Sequence, residues 1–185
     1  MTAGIGHNSG RVNESGQSWR RHAWGKARCD LLPTLPVEVV RLRVARAKEL
    51  GLPYRTYAGI RASTGHDLVG FLFSSNALRV LRNGQALPAD RAERLISLVK
   101  TGRIAVTHQP VSARYLAALP GIDRAEAAPG FVDSWPVMRD RIRAIATAEG
   151  APADRFVVIG DTAFERDWAE AARMAGYLPA DQYFG

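Results

Sequence analysis

Residues 37–65, VEVVRLRVARAKELGLPYRTYAGIRASTG, have the pattern of two helices joined by a tight turn. Apolar residues recur every three or four positions over residues 37–50, which predicts a helix with one buried stripe. Gly51 suits the left-handed conformation that ends such a helix. Pro53 suits the first turn of a second helix, over 54–62, because its missing N–H is not needed there.

The excess positive charge of the chain lies in its N-terminal third, which includes this helix pair. The net charge is +7, from 25 basic and 18 acidic residues. Residues 11–61 contain 11 of the basic residues and 4 of the acidic ones. The residues after 61 contain 14 basic and 14 acidic side chains, so their charges cancel. A basic segment on a neutral body favours a surface that binds phosphate groups, and double-stranded DNA is the partner we expect.

The spacing of residues 47–60 resembles the helix-turn-helix of the lactose-repressor class. A small residue precedes the turn glycine by four positions, and an aliphatic residue follows that glycine. The positions that carry the resemblance are Ala47, Gly51, Leu52, Thr56, Tyr57 and Ile60. Such a motif places the start of its second helix against base edges, where arginine recognises guanine. The residues expected to contact DNA are Arg41, Arg43, Arg46, Lys48, Tyr54, Arg55, Thr56 and Arg61.

Residues 66–87 allow two interpretations. In one, residues 68–73 form a buried strand and Asn83-Gly84 is a hairpin turn, which would add a wing to the helix-turn-helix. In the other, both halves of the segment are helical, and Leu78 and Leu81 give a spacing that resembles the repressor/Cro class. We favour the helical interpretation, which makes Asn76 and Arg79 further candidates for DNA contact.

The rest of the pattern predicts a mixed, helix-rich α/β protein with a small α/β unit after the helix-turn-helix-like part. Residues 103–109 have the pattern of a short strand, and residues 88–100 have that of a helix. Pro and Gly recur over 120–136, which suggests a boundary. The predicted parts are a tail (1–16), a basic helical DNA-binding-like domain (17–120) and the α/β unit (121–185).

Near the C-terminus, the run RFVVIGDT at residues 155–162 predicts a buried strand that meets a helix. The sequence IGDTAFERDWAEAARMAG resembles the late acidic motif of haloacid-dehalogenase-like phosphatases, in which an Asp after a strand helps to hold magnesium. The resemblance assigns that role to Asp161. Glu165, four positions later, is a separate candidate ligand. That family also has an Asp-x-Asp nucleophile motif on an early strand, and this sequence contains none. The simpler interpretation is that Asp161 caps the helix.

The sequence contains no recognisable catalytic motif, so three functions are open. The first is a bacterial DNA-binding regulator or accessory factor, with no cofactor and with a homodimer left open. The second is a metal-dependent nuclease or phosphohydrolase that uses Mg²⁺, with Asp161 and His108 as candidate catalytic residues and Asp133 and Glu165 as further candidates for its site. The third is a protein-interaction module. The single cysteine and the lack of a long apolar run lead us to expect a cytoplasmic protein outside the membrane.

Overall fold

The computed structural model describes residues 35–148 and 150–185. Residues Arg41–Gly185 form one compact unit. The predicted tail (1–16) and the start of the predicted basic domain lie outside the described residues. In the described ranges the fold is mixed α/β, with seven α-helices and one five-stranded parallel sheet, which confirms the predicted class.

Helices and strands alternate after the first two helices. The helices are α1 (Val37–Glu49), α2 (Tyr54–Thr64), α3 (Ala89–Ser97), α4 (Ala113–Ala117), α5 (Trp135–Thr147), α6 (Ala163–Ala172) and α7 (Ala180–Phe184). The strands are β1 (Gly70–Ser74), β2 (Gly102–Thr107), β3 (Arg124–Ala127), β4 (Phe156–Gly160) and β5 (Gly176–Pro179). Among these helices, none is long and apolar enough to cross a membrane.

The strand order in the sheet is β3-β2-β1-β4-β5, and every neighbouring pair is parallel. The chain therefore builds outward from β1 to β3 and then returns past β1 to place β4 on its other side. Leu72 in the middle of β1 pairs with Ile104 of β2 and with Val158 of β4. Strands from both sides of residue 120 thus share one sheet.

The sheet is covered on both faces, and β1 shows how its residues divide between them. Phe71 and Phe73 point to the face covered by α1–α4 and α7, where Leu50, Leu95 and Tyr183 are fully buried. Leu72 points to the opposite face, covered by α5 and α6. Since all five residues of β1 are buried, the strand reads as a continuous apolar run without alternation.

That continuous run explains why the favoured interpretation of residues 66–87 is wrong. Residues 70–74 form the central strand, and residues 75–79 are turns with no helix. The hairpin alternative is also wrong in part, because both neighbours of β1 are parallel to it. Asn83-Gly84 lies in a turn, where Gly84 has a φ of 84°. Leu78 is buried because the turn packs against the core, and this burial produced the apolar spacing that resembled a helix.

Candidate functional sites

The helix pair predicted from residues 37–65 is present, with a turn at residues 50–53. Gly51 has a φ of 63°, as its place after the first helix requires. The inner side of the pair is anchored in the core by the fully or nearly fully buried side chains of Leu50, Leu52 and Tyr57. Of the predicted apolar stripe, Ala47 is also buried, Val40 and Val44 are partly buried, and Val37 is 64% exposed, so the pair is buried mainly around its turn.

Asp67, just before β1, holds two of the predicted DNA-contacting arginines. Arg46 Nε donates to Asp67 Oδ2 at 3.1 Å, and Arg61 Nη1 lies 3.7 Å from Asp67 Oδ1. Arg46 also donates to the carbonyl oxygens of Leu68 and Lys100. The hydroxyl of Tyr57 donates to Asp67 Oδ1 at 2.6 Å, and burial together with this bond raises the pKa of Tyr57. These arginines join the helix pair to the sheet.

The other predicted DNA-contacting residues divide into three groups. Exposed side chains on the helix pair are those of Arg41, Lys48 and Arg55. Partly buried residues of the pair are Arg43, Tyr54 and Thr56, and Tyr54 packs against the core. Two residues, Asn76 and Arg79, follow β1 and belong to a second cluster at the strand ends.

This second cluster lies at the carboxyl ends of β1, β2 and β4. The strand order reverses between β1 and β4, which is where open α/β sheets place their ligands. Ser74, Ser75 and Asn76 come from the end of β1, and His108 follows β2. Asp161, Thr162 and Glu165 come from the turn after β4 and the first turn of α6.

Glu165 is the centre of the cluster, and its side chain is fully buried. Its Oε1 accepts hydrogen bonds from Asn76 Nδ2 and His108 Nε2, both at 2.9 Å. Its Oε2 accepts the backbone N–H groups of Asp161 at 2.5 Å and Thr162 at 3.0 Å. Burial alone would raise the pKa of Glu165, but these bonds and one with Ser74 outweigh it and lower the pKa. The carboxyl is therefore ionised at neutral pH.

The structure corrects the interpretation that Asp161 caps the last long helix. Thr162 is the N-cap of α6, and Thr162 and Glu165 form a reciprocal capping box. Asp161 instead pairs with Arg79, whose Nη1 lies 2.5 Å from Asp161 Oδ2, and Arg79 also reaches Asp181 at 3.3 Å. The sequence carried the signal for this box, a Thr followed three positions later by Glu, ahead of an apolar run.

The same contacts bear on Asp161 and Glu165 as metal ligands. Each oxygen of Glu165 already accepts two hydrogen bonds, so at least one bond would have to rearrange before that oxygen could bind an ion. Asp161 already has a cationic partner in Arg79. In the described part of the chain, no group of three or more His, Cys, Asp or Glu residues has a metal-binding arrangement.

His108, the other candidate for catalysis, is held on three sides. Its backbone N–H donates to Ser75 Oγ at 3.1 Å, and its Nε2 is hydrogen-bonded to Glu165 Oε1 at 2.9 Å. An ionised carboxylate only accepts hydrogen bonds, so Nε2 carries a proton. The ring packs against Trp168, with centroids 5.1 Å apart, and stacks on Phe131 at 5.7 Å. Within residues 35–148 and 150–185, nothing hydrogen-bonds to Nδ1.

A cavity of about 870 Å³ opens beside His108, at the ends of β2 and β3. Its lining includes His108, Ser112, Phe131, Asp133 and Arg141. Sequence reasoning did not identify Phe131 or Arg141, because one lies in a Pro- and Gly-rich loop and the other on the exposed side of a helix. Phe131 lies in the loop that follows the carboxyl end of β3, and Arg141 on α5 reaches the same end of that strand.

The strand ends also bear on the resemblance to haloacid-dehalogenase-like phosphatases. The late acidic motif does follow a strand, as the resemblance implies. The early strand beside it, β1, ends in Ser74-Ser75-Asn76 and carries no Asp-x-Asp motif. A carboxylate nucleophile is therefore missing from this strand. Comparisons with protein-family models, curated proteins and solved structures find no match to this chain.

Proposed function

We propose that this protein binds double-stranded DNA through the solvent side of the α1–α2 helix pair. The observation that carries the proposal is that some basic residues of this pair are bonded to the protein while others are exposed to solvent. Arg46 and Arg61 are engaged with Asp67, whereas Lys48 and Arg55 are exposed on either side of the turn. The pair is thus fixed to the sheet by two arginines while other cations face solvent.

Charge supports this proposal. Residues 35–65 contain six basic residues and two acidic ones, and the body that follows is neutral. Exposed Lys and Arg side chains gain affinity for the DNA backbone by releasing its condensed counterions, so binding weakens steeply with salt. The turn between α1 and α2 also brings the amino end of α2, with Arg55 in its first turn, to the exposed side.

Arg55 is expected to face the DNA groove, and Lys48 is expected to contact the DNA phosphate backbone. A contact near the start of a recognition helix reads base edges, whereas a lysine on the preceding helix neutralises phosphate. Arg46 is assigned no DNA contact, because its side chain is only 16% exposed and its guanidinium is committed to Asp67, Glu49 and backbone carbonyls.

Fluorescence anisotropy with a random-sequence duplex at two salt concentrations tests the proposal. We expect micromolar binding that weakens steeply with salt. Lys48→Gln and Arg55→Gln should each weaken binding and reduce the salt slope by about 1. Arg114→Gln, an exposed charge removed from α4 in the neutral body, is the matched control and should leave both quantities unchanged.

Repeating the titration with Mg²⁺ and then running the DNA on a gel separates binding from cleavage. Intact DNA agrees with the proposal. Magnesium-dependent cutting that is lost in Asp161→Ala would replace it with the nuclease alternative. No binding at low salt, or binding that is equally weakened by all three substitutions, would contradict a role for the helix pair.

A further inference from the structure

The cavity at the ends of β2 and β3 has the dimensions of a small-molecule site. Its volume of about 870 Å³ lies within the range of about 300–1,000 Å³ that is typical of ligand pockets. Directly between β1 and β4, the space is filled by side chains, since Asn76 and Glu165 are hydrogen-bonded across it. The space for a ligand at this edge of the sheet is therefore at the ends of β2 and β3, beside His108.

An aromatic ring stands at this cavity with most of its surface in water. Phe131 is 76% exposed, although its ring centroid lies only 4.5 Å from that of Phe164 and it stacks on His108 at an angle of 15°. Its loop is closed by Asp133, whose Oδ2 accepts the N–H of Gly130 at 2.7 Å. Phe131 is thus held in place by His108 and Phe164 while much of its ring surface remains in water. A planar group that stacked on the ring would bury that surface.

A guanidinium group lines the same cavity. Arg141 Nε donates to the carbonyl oxygen of Ala127, at the end of β3, at 3.0 Å. Among the residues that the structure describes, none bonds to the two Nη groups of Arg141. A guanidinium that is oriented by one bond and open along its outer edge suits the oxygens of a phosphate.

His108 supplies a third contact from inside the cavity. Glu165 fixes the orientation of its ring through Nε2, and Nδ1 has no partner in the described ranges. In the neutral ring with its proton on Nε2, Nδ1 is an acceptor for a hydroxyl or amino group of a ligand. The Asp133 carboxylate is a second acceptor in the lining. The cavity therefore offers a stacking surface, one cation and two acceptors.

We propose that this cavity binds a nucleoside monophosphate, with Phe131 stacking on the base and Arg141 holding the phosphate. The nucleoside part meets His108 and Asp133, whose acceptor atoms match the hydroxyl and amino groups of a ribose and a base. The proposal is independent of DNA binding by the helix pair, because none of these residues belongs to α1 or α2.

Isothermal titration calorimetry of the full chain with AMP, GMP, CMP and UMP tests the site, with the matching nucleoside and inorganic phosphate as partial ligands. We expect at least one of the four nucleotides to bind with submillimolar affinity and to bind more tightly than either partial ligand. Phe131→Ala should weaken that binding about tenfold or more through lost stacking, and Arg141→Gln by a similar factor.

Two neighbouring substitutions are the controls. Val132→Ala changes a side chain that is 98% exposed beside Phe131, and Arg139→Gln changes an arginine on α5 that pairs with Asp140. Both should leave the affinity unchanged, and thermal melting should show all four variants folded. No binding of any nucleotide at millimolar concentration would overturn the proposal. So would binding that survives both cavity substitutions, or phosphate binding as tightly as the nucleotides.

Discussion

At the scale of single residues, Glu165 shows how a buried charge is kept in this fold. Burying a carboxylate without partners lowers the stability of the folded state. Removing one member of a buried hydrogen-bonded set usually lowers stability by more than the whole set contributes to it. Besides Ser74, four donors converge on Glu165, and two of them are backbone N–H groups just before α6. The residue therefore joins β1, β2 and β4 at their carboxyl ends.

Glu165→Gln is expected to lower the free energy of unfolding by about 2–4 kcal/mol, because the amide group turns at least one N–H toward a donor that then lacks an acceptor. Urea unfolding followed by circular dichroism measures the change. Glu170→Gln, on the exposed side of the same helix, is the control and should change the value by less than about 0.5 kcal/mol. An equal effect of the two substitutions would contradict the assigned role.

The same variant should also change the dependence of stability on pH. Glu165 has a lowered pKa in the folded protein, so its contribution is complete above the ordinary glutamate range and is lost as the pH falls through the lowered value. The wild type should therefore lose more stability on acidification than Glu165→Gln. Asp123 and Asp140 also have lowered pKa values, but they titrate in both proteins and cancel in the difference.

At the scale of elements, α2 has two glycines with opposite requirements. Gly59 lies within the helix, and a Cβ there would meet no atom within 4 Å. Gly65 ends the helix with a φ of 77°, and its N–H donates to the carbonyl oxygen of Arg61. A side chain is thus free of steric cost at the first position and strained at the second, although neither position is crowded.

Gly59→Ala should raise the free energy of unfolding by about 0.5–1 kcal/mol, because alanine loses less backbone entropy in a helix. Gly65→Ala should lower it by about 1 kcal/mol, because the left-handed conformation disfavours a Cβ. Denaturant titration of the two variants beside the wild type gives both signs in one experiment. A loss of stability in Gly59→Ala would mean that the solvent side of α2 is covered.

At the scale of the whole molecule, β1 organises the sheet because it is the strand from which the chain builds in both directions. Gly70 begins this strand, opposite Gly102 of β2 and Phe156 of β4. A Cβ at Gly70 would lie 2.7 Å from the carbonyl oxygen of Gly102 and 2.8 Å from the Phe156 ring. Glycine is needed here because two neighbouring strands approach the same atom.

Gly70→Ala is expected to lower the free energy of unfolding by about 1–3 kcal/mol, because the carbonyl group of Gly102 cannot move away from the new Cβ without shifting β2. Its partner in the register provides the control. A Cβ at Gly102 would find its nearest neighbour at 3.6 Å, which is ordinary contact, so Gly102→Ala should have a smaller effect. Thermal melting of the two variants measures the difference, and equal melting temperatures would contradict this account of the close approach.

The sequence by itself determined the features that depend on neighbouring residues. The two helices and turn of residues 37–65, the helix after residue 88, and the strand followed by a helix at residues 155–172 all appear within a few positions of their predicted bounds. These elements have periodic apolar residues, or Pro and Gly at their ends, so local pattern and final structure agree. The α/β class followed from them.

Only the tertiary structure decided what the polar residues do. From the sequence, Glu165 is predicted only as a candidate metal ligand, because its partners Asn76 and His108 lie 89 and 57 positions away along the chain. Arg46 is predicted from the sequence as a DNA contact, and the structure places its guanidinium on Asp67 and on the carbonyl oxygens before β1 and β2. Periodicity reports which side of an element is buried, whereas the partner of a charge depends on which strands become neighbours, and that choice is made by the packing of the whole chain.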